Sequence, residues 1–179
     1  MDDIVKAALK KWPAVPAVYG WLGLDARGDW YLRDDAVQAA GPFPQAKGSR
    51  IVHEKLRDFI QRNYDSDDGR AWYFQNGPQR VYVELEAAPW VLGVQRLANG
   101  AFAVATHTGQ PVPVVEAAWV DEQGRLFLAT PQGLGLVRSM DMDAAADAAE
   151  ANGWDIQDAT FVDLLARYRH QLSPGPQPA

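Results

Sequence analysis

The clearest pattern of apolar and polar positions lies in the segment GRAWYFQNGPQRVYVELEAAPW. Before its central loop Trp72 and Phe74 alternate with other residues, and after the loop Val81 and Val83 do the same. A period of two is typical of a strand whose two faces differ. The loop 76–79, NGPQ, carries turn-forming residues, so the segment is predicted to be a β-hairpin with one apolar and one mixed face.

Apolar residues recur at helical spacing in four other segments, which favours amphipathic helices. The predicted helices cover residues 2–11, 50–63, 142–151 and 159–171. Small polar residues precede the last three helices and are expected to cap them. These predicted N-caps are Ser49, Asp141 and Asp158.

The remaining strands follow from shorter alternating runs bounded by turn residues. They are predicted over residues 24–32, 90–97, 101–106, 112–120 and 125–130. The stretch 12–24, WPAVPAVYGWLGL, is rich in proline and aromatic residues, and we interpret it as an extended arm packed on the sheet. Trp30 and Trp72 lie in strand patterns and are expected to serve packing.

Together these elements predict an α+β fold, built from two small units of antiparallel sheet packed with helices. Residues 1–88 would form an N-terminal arm with a strand-helix-hairpin unit. Residues 89–172 would form a strand-rich unit with two helices, and the proline-rich tail 173–179 would be disordered. The crossover between the units is expected at 87–90.

Composition narrows the classes of function. The chain has 179 residues, no cysteine and a net charge of −6, so disulfides, thiol catalysis and cysteine zinc sites are excluded. An acidic balance argues against nucleic-acid binding, which needs a basic face. No apolar run is long enough for a signal peptide or a membrane helix, so we expect a cytoplasmic protein without membrane insertion.

The sequence shows no established catalytic motif. No serine lies in a nucleophile elbow, no histidine pair has zinc-binding spacing and no phosphate loop is present, so no catalytic residue, metal or cofactor is predicted. His107 lies in a predicted turn and is the most interesting of the three histidines. A solvated loop histidine is nevertheless the favoured interpretation.

Aromatic residues are the main lead for a binding site. Trp12, Tyr19 and Trp21 lie close together in the arm, and the chain has seven tryptophans. Tyrosine and tryptophan combine a large apolar body with one polar group, so they suit cores and binding surfaces alike. We expect a ligand-binding groove between the two units, bordered by Trp12, Tyr19, Trp21 and Arg27.

An alternative site lies on the mixed face of the hairpin, where Arg80, Tyr82, Glu84 and Glu86 alternate with apolar residues. Carboxylate, guanidinium and phenol groups on one strand face could support acid–base chemistry if a pocket gathers them. The favoured interpretation of this face is a solvated strand surface.

Three segments carry a resemblance to a known group: KKWPAVPAVYGWLGLDARGDW, AWYFQNGPQRVYVELEAAPWV and AAWVDEQGRLFL. Over most of its length the chain resembles an uncharacterised proteobacterial family with a domain of unknown function. The pattern DDGRAWYF…VYVELEAAPWV is also similar to a second uncharacterised bacterial family, with Glu86–Trp90 matching an acidic "E-D-A-P-F"-like segment. That resemblance implies two small α/β domains, the second like a pleckstrin-homology barrel, and transfers no catalytic residue.

These observations favour a non-enzymatic ligand-binding or regulatory module. Its expected partner is a small molecule or another protein, and not nucleic acid. Two alternatives stay open, which are an enzyme using carboxylate, arginine and tyrosine chemistry and a homo-oligomeric interaction adaptor.

Overall fold

The computed structural model describes residues 1–176, which divide into two compact units. The first contains residues 1–25, 29–87 and the chain from 170 onward, and the second contains 26–28 and 88–169. Each unit has one six-stranded sheet with helices, which confirms the α+β class. Residues 177–179 of the predicted tail lie outside the described residues, whereas Pro174 is buried.

The first unit has a sheet with strand order β3-β2-β1-β6-β5-β4. Its elements are α1 (Asp3–Lys11), β1 (Val18–Leu24), β2 (Trp30–Leu32), α2 (Asp35–Ala40), β3 (Ser49–Arg50), α3 (Glu54–Arg62), β4 (Tyr64–Asp67), β5 (Ala71–Asn76) and β6 (Gln79–Leu85).

The predicted hairpin is confirmed as β5 and β6, with Asn76 paired to Gln79 across the two-residue loop. Gly77 adopts a φ of 57°, which a primed hairpin turn requires and which glycine reaches without strain. The mixed face of the hairpin is not solvated as the sequence suggested. Tyr82 and Glu84 are only 9% and 7% exposed, because other parts of the first unit cover them.

The prediction of an extended arm is wrong for residues 18–24. These residues form β1, which lies near the centre of the sheet. This strand pairs antiparallel with β2 and parallel with β6. Both sheets are therefore mixed rather than antiparallel. Between Val18 and Leu22 the register with β6 shifts, since these residues pair with Val81 and Val83. Four steps on β1 thus match two on β6, which makes a bulge around Gly20, whose φ is 77°.

Two predicted helix starts are wrong for local reasons. Ser49 lies in β3 and pairs with Leu32, so α3 begins later, and the Nδ1 atom of His53 accepts the backbone N–H of Leu56 as its cap. In the last helix Thr160 rather than Asp158 provides the capping hydroxyl. Ser49 and Asp158 both belong to strands, so neither stands at the residue that precedes the helix, and the sequence pattern does not reveal that strand pairing.

The second unit has the strand order β12-β9-β10-β11-β7-β8. Its elements are β7 (Trp90–Arg96), β8 (Phe102–Thr106), β9 (Ala117–Val120), β10 (Leu126–Thr130), β11 (Gly133–Val137), α4 (Met142–Asn152), β12 (Ile156–Asp158) and α5 (Phe161–Tyr168), with a short 3-10 turn at Ser139–Asp141. Asp141 caps no helix with its side chain, and instead it pairs with Arg138 and accepts the N–H of Val94 at 3.2 Å.

Burial accounts for most of the tryptophans. Trp30, Trp72, Trp90 and Trp119 are each less than 9% exposed, which confirms the packing role expected for the first two. Large aromatic side chains supply much apolar area to a core. Trp12 and Trp21 behave differently, with 50% and 42% of their surface exposed.

Candidate functional site

A cavity of about 360 Å³ lies on the first unit, and we call it the tyrosine pocket. The side chains that define it come from β1, the β4–β5 turn, β6 and the C-terminal segment. They are Tyr19, Asp67, Arg70, Tyr82 and Gln171, with Ala71 and residues 173–176 completing the wall. Ligand cavities in proteins start at roughly 300 Å³, so this one suits a small molecule.

Two tyrosines form the aromatic wall. The rings of Tyr19 and Tyr82 are parallel within 2°, and their centroids are 4.7 Å apart. Val18 pairs with Val81, so the next residues, Tyr19 and Tyr82, project from the same face of the sheet, and the bulge around Gly20 follows Tyr19 in β1. Tyr73 closes the stack from the other side, at an angle of 69° to Tyr82. Such pairs hold aromatic rings in a fixed orientation.

Asp67 connects the pocket to the edge of the hairpin. Its Oδ1 atom lies 2.7 Å from Nη1 of Arg80, and its Oδ2 atom accepts a short hydrogen bond from the hydroxyl of Tyr82. Burial, reinforced by this bond, raises the pKa of Tyr82, so the phenol stays protonated at neutral pH. Both oxygens of Asp67 therefore have partners, and its negative charge faces the charge of Arg80.

The rest of the wall depends on the C-terminal segment. Gln171 donates its backbone N–H to the carbonyl of Arg70 at 2.8 Å, and Leu172 accepts the N–H of Leu85 at 2.7 Å. The imidazole of His170 lies 3.1 Å from the carbonyl of Ala87. These three contacts fix the segment against the hairpin, so residues that follow it in sequence line the pocket.

Arg70 provides the charge of the pocket. Its side chain is exposed, and within the described residues its guanidinium forms no ion pair. Asp67 lies nearby but is engaged by Arg80. The described part of the lining therefore offers one cation, Arg70, to a ligand.

Glu84 lies on the same strand face but away from the lining of the pocket. Burial raises the pKa of its carboxyl, while a hydrogen bond from Ser173 and the charge of Arg33 act in the opposite direction. Side chains alternate between the two faces of β6, so Glu84, two residues after Tyr82, lies on the same buried face as Tyr82.

The chain is similar in sequence to one known protein family. A sequence profile described as "Protein of unknown function (DUF2946)" matches residues 1–173. The chain belongs to this family. The resemblance to an uncharacterised family with a domain of unknown function is thus confirmed, and no curated protein sequence matches the chain.

Two solved structures resemble this DUF2946 chain. The DUF1285 family protein from Silicibacter pomeroyi DSS-3 has a TM-score of 0.51 and 12% identity, over 82% of this chain and 84% of that one. The DUF1285 family protein from Shewanella baltica OS155 has a TM-score of 0.45 and 16% identity, over 71% of this chain and 91% of that one. The first of these supports a shared fold and nothing finer.

The other aromatic residues expected at a ligand site lie elsewhere. Trp12 is at the end of α1, where Nζ of Lys11 lies 4.3 Å from its ring centroid. Trp21 lines a different cavity on the opposite face of the first sheet. Arg27 is exposed in the turn 26–28, which belongs to the second unit. Of the four predicted residues, Tyr19 alone lines the tyrosine pocket.

Glu86 takes part in an ion cluster rather than in the pocket. Nζ of Lys47 lies 3.0 Å from a carboxylate oxygen of Glu86 and 3.0 Å from one of Asp25. Asp25 is 2% exposed and also accepts the N–H of Asp29 at 3.0 Å. The ammonium group of Lys47 neutralises the buried charge of Asp25 and also pairs with Glu86. Glu86 therefore has a structural role in this ion cluster.

His107, the histidine favoured as a solvated loop residue, is half-buried in the second unit, and the Nε2 atom of its ring is shielded from water. Its Nδ1 atom accepts the backbone N–H of Val91 at 3.2 Å, and burial lowers its pKa to about 3. The ring is therefore neutral at pH 7. In the described part of the chain no group of three or more acidic or histidine side chains could hold a metal ion, and no helix is long and apolar enough to cross a membrane.

Sequence reasoning missed Asp67, Arg70 and Gln171. Asp67 precedes the turn that leads into β5, and acidic residues are common at turns for purely local reasons. No local signal marks it, because its partners Arg80 and Tyr82 reach it only through the pairing of β4 with β5 and of β5 with β6. The pattern of the hairpin did place Arg80 and Tyr82 on one face.

Proposed function

We propose that this protein is a non-enzymatic binding module whose first unit takes up a small aromatic carboxylate in the tyrosine pocket. The observation that carries the proposal is that one cavity is lined both by the stacked rings of Tyr19 and Tyr82 and by Arg70, whose guanidinium forms no ion pair within the described residues. Few convergent polar groups in a concave site with aromatic walls are the usual composition of a ligand pocket.

The charges around the tyrosine pocket favour an anionic ligand. Asp67 is the acidic residue of the lining, and Arg80 and Tyr82 occupy its oxygens. Arg70 then leaves the pocket with a surplus of positive charge. A planar guanidinium binds a carboxylate in a bidentate manner, which gives orientation as well as attraction.

The flat aromatic wall of the tyrosine pocket favours a planar ligand. One face of the Tyr19 ring lies against Tyr82, and the residue is only partly buried. An aromatic ligand could therefore extend the stack, which contributes about 0.5–1.5 kcal/mol beyond area burial in aromatic pairs. The volume of about 360 Å³ accommodates a single ring with its carboxylate.

A thermal-shift screen tests the proposal, with benzoate as the aromatic acid, benzamide as its neutral counterpart and cyclohexanecarboxylate as the non-planar acid. Benzoate at a hundred times its Kd would stabilise the fold by about 2.7 kcal/mol, which corresponds to a rise in Tm of roughly 5–10 °C. Arg70→Gln should abolish the shift, and Arg57→Gln, on α3, should keep it.

Three results would overturn the proposal. Benzamide could shift the Tm as much as benzoate, the shift could persist in Arg70→Gln, or substituted aromatic acids could all leave the Tm unchanged. Isothermal titration with the same compounds separates true binding from a salt effect, because only binding saturates.

The enzyme alternative is favoured by one observation, the buried Glu84 with its raised pKa. Buried acids of this kind often serve as general acids or bases. A catalytic role requires that the carboxyl reach a substrate, and Glu84 does not line the tyrosine pocket as the described residues define it. Binding without catalysis is therefore the function that the geometry supports best.

A further inference from the structure

A second cavity, of about 490 Å³, lies on the face of the first sheet that α3 covers. We call it the apolar groove. It is bordered by Trp21 on β1, Leu32 on β2, Leu56 and Phe59 on α3, and Val81 on β6. The groove is separate from the tyrosine pocket, because Val81 and Tyr82 are adjacent in β6 and point to opposite faces of the sheet.

The groove exposes large apolar side chains that are not part of the buried core. Trp21 and Leu32 are 42% and 49% exposed, whereas Leu22 and Ile60 beneath them are each 2% exposed and complete the core. Apolar surface left in contact with water is unfavourable in proportion to its area. A contiguous exposed patch of this kind often marks a binding site.

The chemistry of the lining selects the ligand. Among residues 1–176, those that border the groove include no aspartate, glutamate, lysine, arginine or histidine. Asn76 and Gln79 are its polar members, and both flank the two-residue loop of the hairpin. A charged ligand would lose its hydration without gaining a partner, so the complementary molecule is uncharged.

We propose that the apolar groove binds an uncharged small molecule with an extended apolar body and one hydrogen-bonding group, of the class of medium-chain alcohols. The body lies between Trp21 and Phe59, and the polar group lies at the carboxamides of Asn76 and Gln79. This site is independent of the proposed carboxylate site, and either can be present without the other.

Titration calorimetry with 1-hexanol, 1-heptanol, 1-octanol and octanoate tests this inference on the full chain. Since each buried methylene contributes about 0.8 kcal/mol, the affinity should rise about fourfold per methylene from hexanol to octanol. Octanoate should bind at least about tenfold more weakly than octanol, because its charge finds no partner in the lining. Equal affinity for octanoate, or no dependence on chain length, would overturn the inference.

Leu56→Asp places a carboxylate in the wall and should weaken octanol binding at least about tenfold. The control Val52→Asp adds the same charge just before α3 at a residue that is 76% exposed and outside the lining, and it should leave the affinity unchanged. If Leu56→Asp does not fold, Leu32→Asp on the exposed rim replaces it. Unchanged affinity in the folded rim or wall variant contradicts the site.

Sedimentation velocity on the same proteins distinguishes another occupant. A wild-type dimer that Leu56→Asp converts to a monomer would show that a second copy of the chain covers the groove, and the small-molecule inference would then be wrong. A wild-type monomer that binds octanol in a saturable manner supports it.

Discussion

Tyr19 and Tyr82 lie ring on ring, 4.7 Å between centroids, across the parallel pair of β1 and β6. The pairing of Val18 with Val81 places both rings on one face of the sheet, and the bulge around Gly20 comes after Tyr19 in the strand. The aromatic wall of the proposed binding site therefore depends on the register that β1 keeps before its irregular part.

The stack itself should contribute to stability. Replacing Tyr19 with leucine keeps apolar volume but removes the ring contact, so we expect a loss of about 0.5–1.5 kcal/mol in the free energy of unfolding. Tyr19→Phe retains the ring and should stay within about 0.5 kcal/mol of wild type. Urea unfolding curves of the three proteins give both values, and an equal loss in the two variants would rule out stacking as the cause.

The hydroxyl of Tyr82 should matter separately from its ring. Tyr82→Phe removes the bond to Asp67, and because that carboxylate is partly exposed we expect a loss of about 1 kcal/mol. Tyr73→Phe is the matched control, since its hydroxyl makes no hydrogen bond within the described residues. Chemical unfolding at pH 7 measures both. A larger loss in the Tyr73 variant would contradict the role given to Asp67.

Glu84 should make stability depend on pH. Because burial raises its folded-state pKa above the ordinary value of 4.5, the folded chain holds this proton more tightly than the unfolded chain. Its contribution is then fully present below about pH 4.5 and is lost as pH rises through the folded pKa. Glu84→Gln cannot ionise, so its stability relative to wild type should increase from about pH 4 to about pH 7.

The control for Glu84 is Glu150→Gln, which changes an exposed residue of α4. Its difference from wild type should stay constant over the same range. The experiment consists of urea unfolding curves at several pH values for the three proteins. A Glu84→Gln difference that does not vary with pH would mean that the carboxyl is not buried in solution.

His107 should make the free energy of unfolding depend on pH in the direction opposite to that of Glu84. Its folded-state pKa of about 3 lies below the ordinary 6.5, so the unfolded chain binds the proton first as pH falls. Stability is full above about pH 6.5 and should decrease by up to about 1.4 kcal/mol per pH unit toward pH 3. His107→Asn keeps an acceptor near the N–H of Val91 and should flatten this slope.

The matched variant for His107 is Gln110→Asn, which replaces an exposed side chain that does not ionise in this range. Its acid-unfolding profile should follow that of wild type. Thermal unfolding between about pH 4 and pH 7 provides the comparison. Identical slopes in wild type and His107→Asn would show that the imidazole is not desolvated as described.

The positive φ of Gly20 should make this position intolerant of a side chain. Gly20→Ala places a side chain at a φ of 77° and must also displace Gln38, so we expect a loss of more than about 1–2 kcal/mol. Gly100→Ala has a similar φ of 83° with open space around it, and it reports the conformational cost alone. The two unfolding free energies should differ, and equal losses would show that Gln38 yields without cost.

Local chemistry determined which parts of the fold the sequence could predict. The hairpin β5–β6 was predicted because its turn and its alternation lie within one segment, and α4 because a glycine at a φ of 67° ends it. The arm 12–24 concealed β1, since Pro13, Pro16 and two glycines obscure a strand pattern that only pairing with β6 reveals.

The candidate site was less accessible to prediction than the fold. Arg80 and Tyr82 shared a face by alternation, and Tyr19 was singled out as aromatic. Their convergence on Asp67 depends on strand pairing between distant segments, which no periodicity encodes. The grouping of Tyr19 with Trp21 assumed a regular strand, and the bulge separates them.

The bulge in β1 also has an evolutionary consequence. A version of this strand shortened by two residues between Val18 and Leu22 would match β6 step for step and would leave at most one aromatic residue opposite Tyr82. The same short deletion would thus strip an aromatic side chain from one face of the sheet or the other. Relatives that lack these two residues should have lost one of the two cavities while keeping the fold.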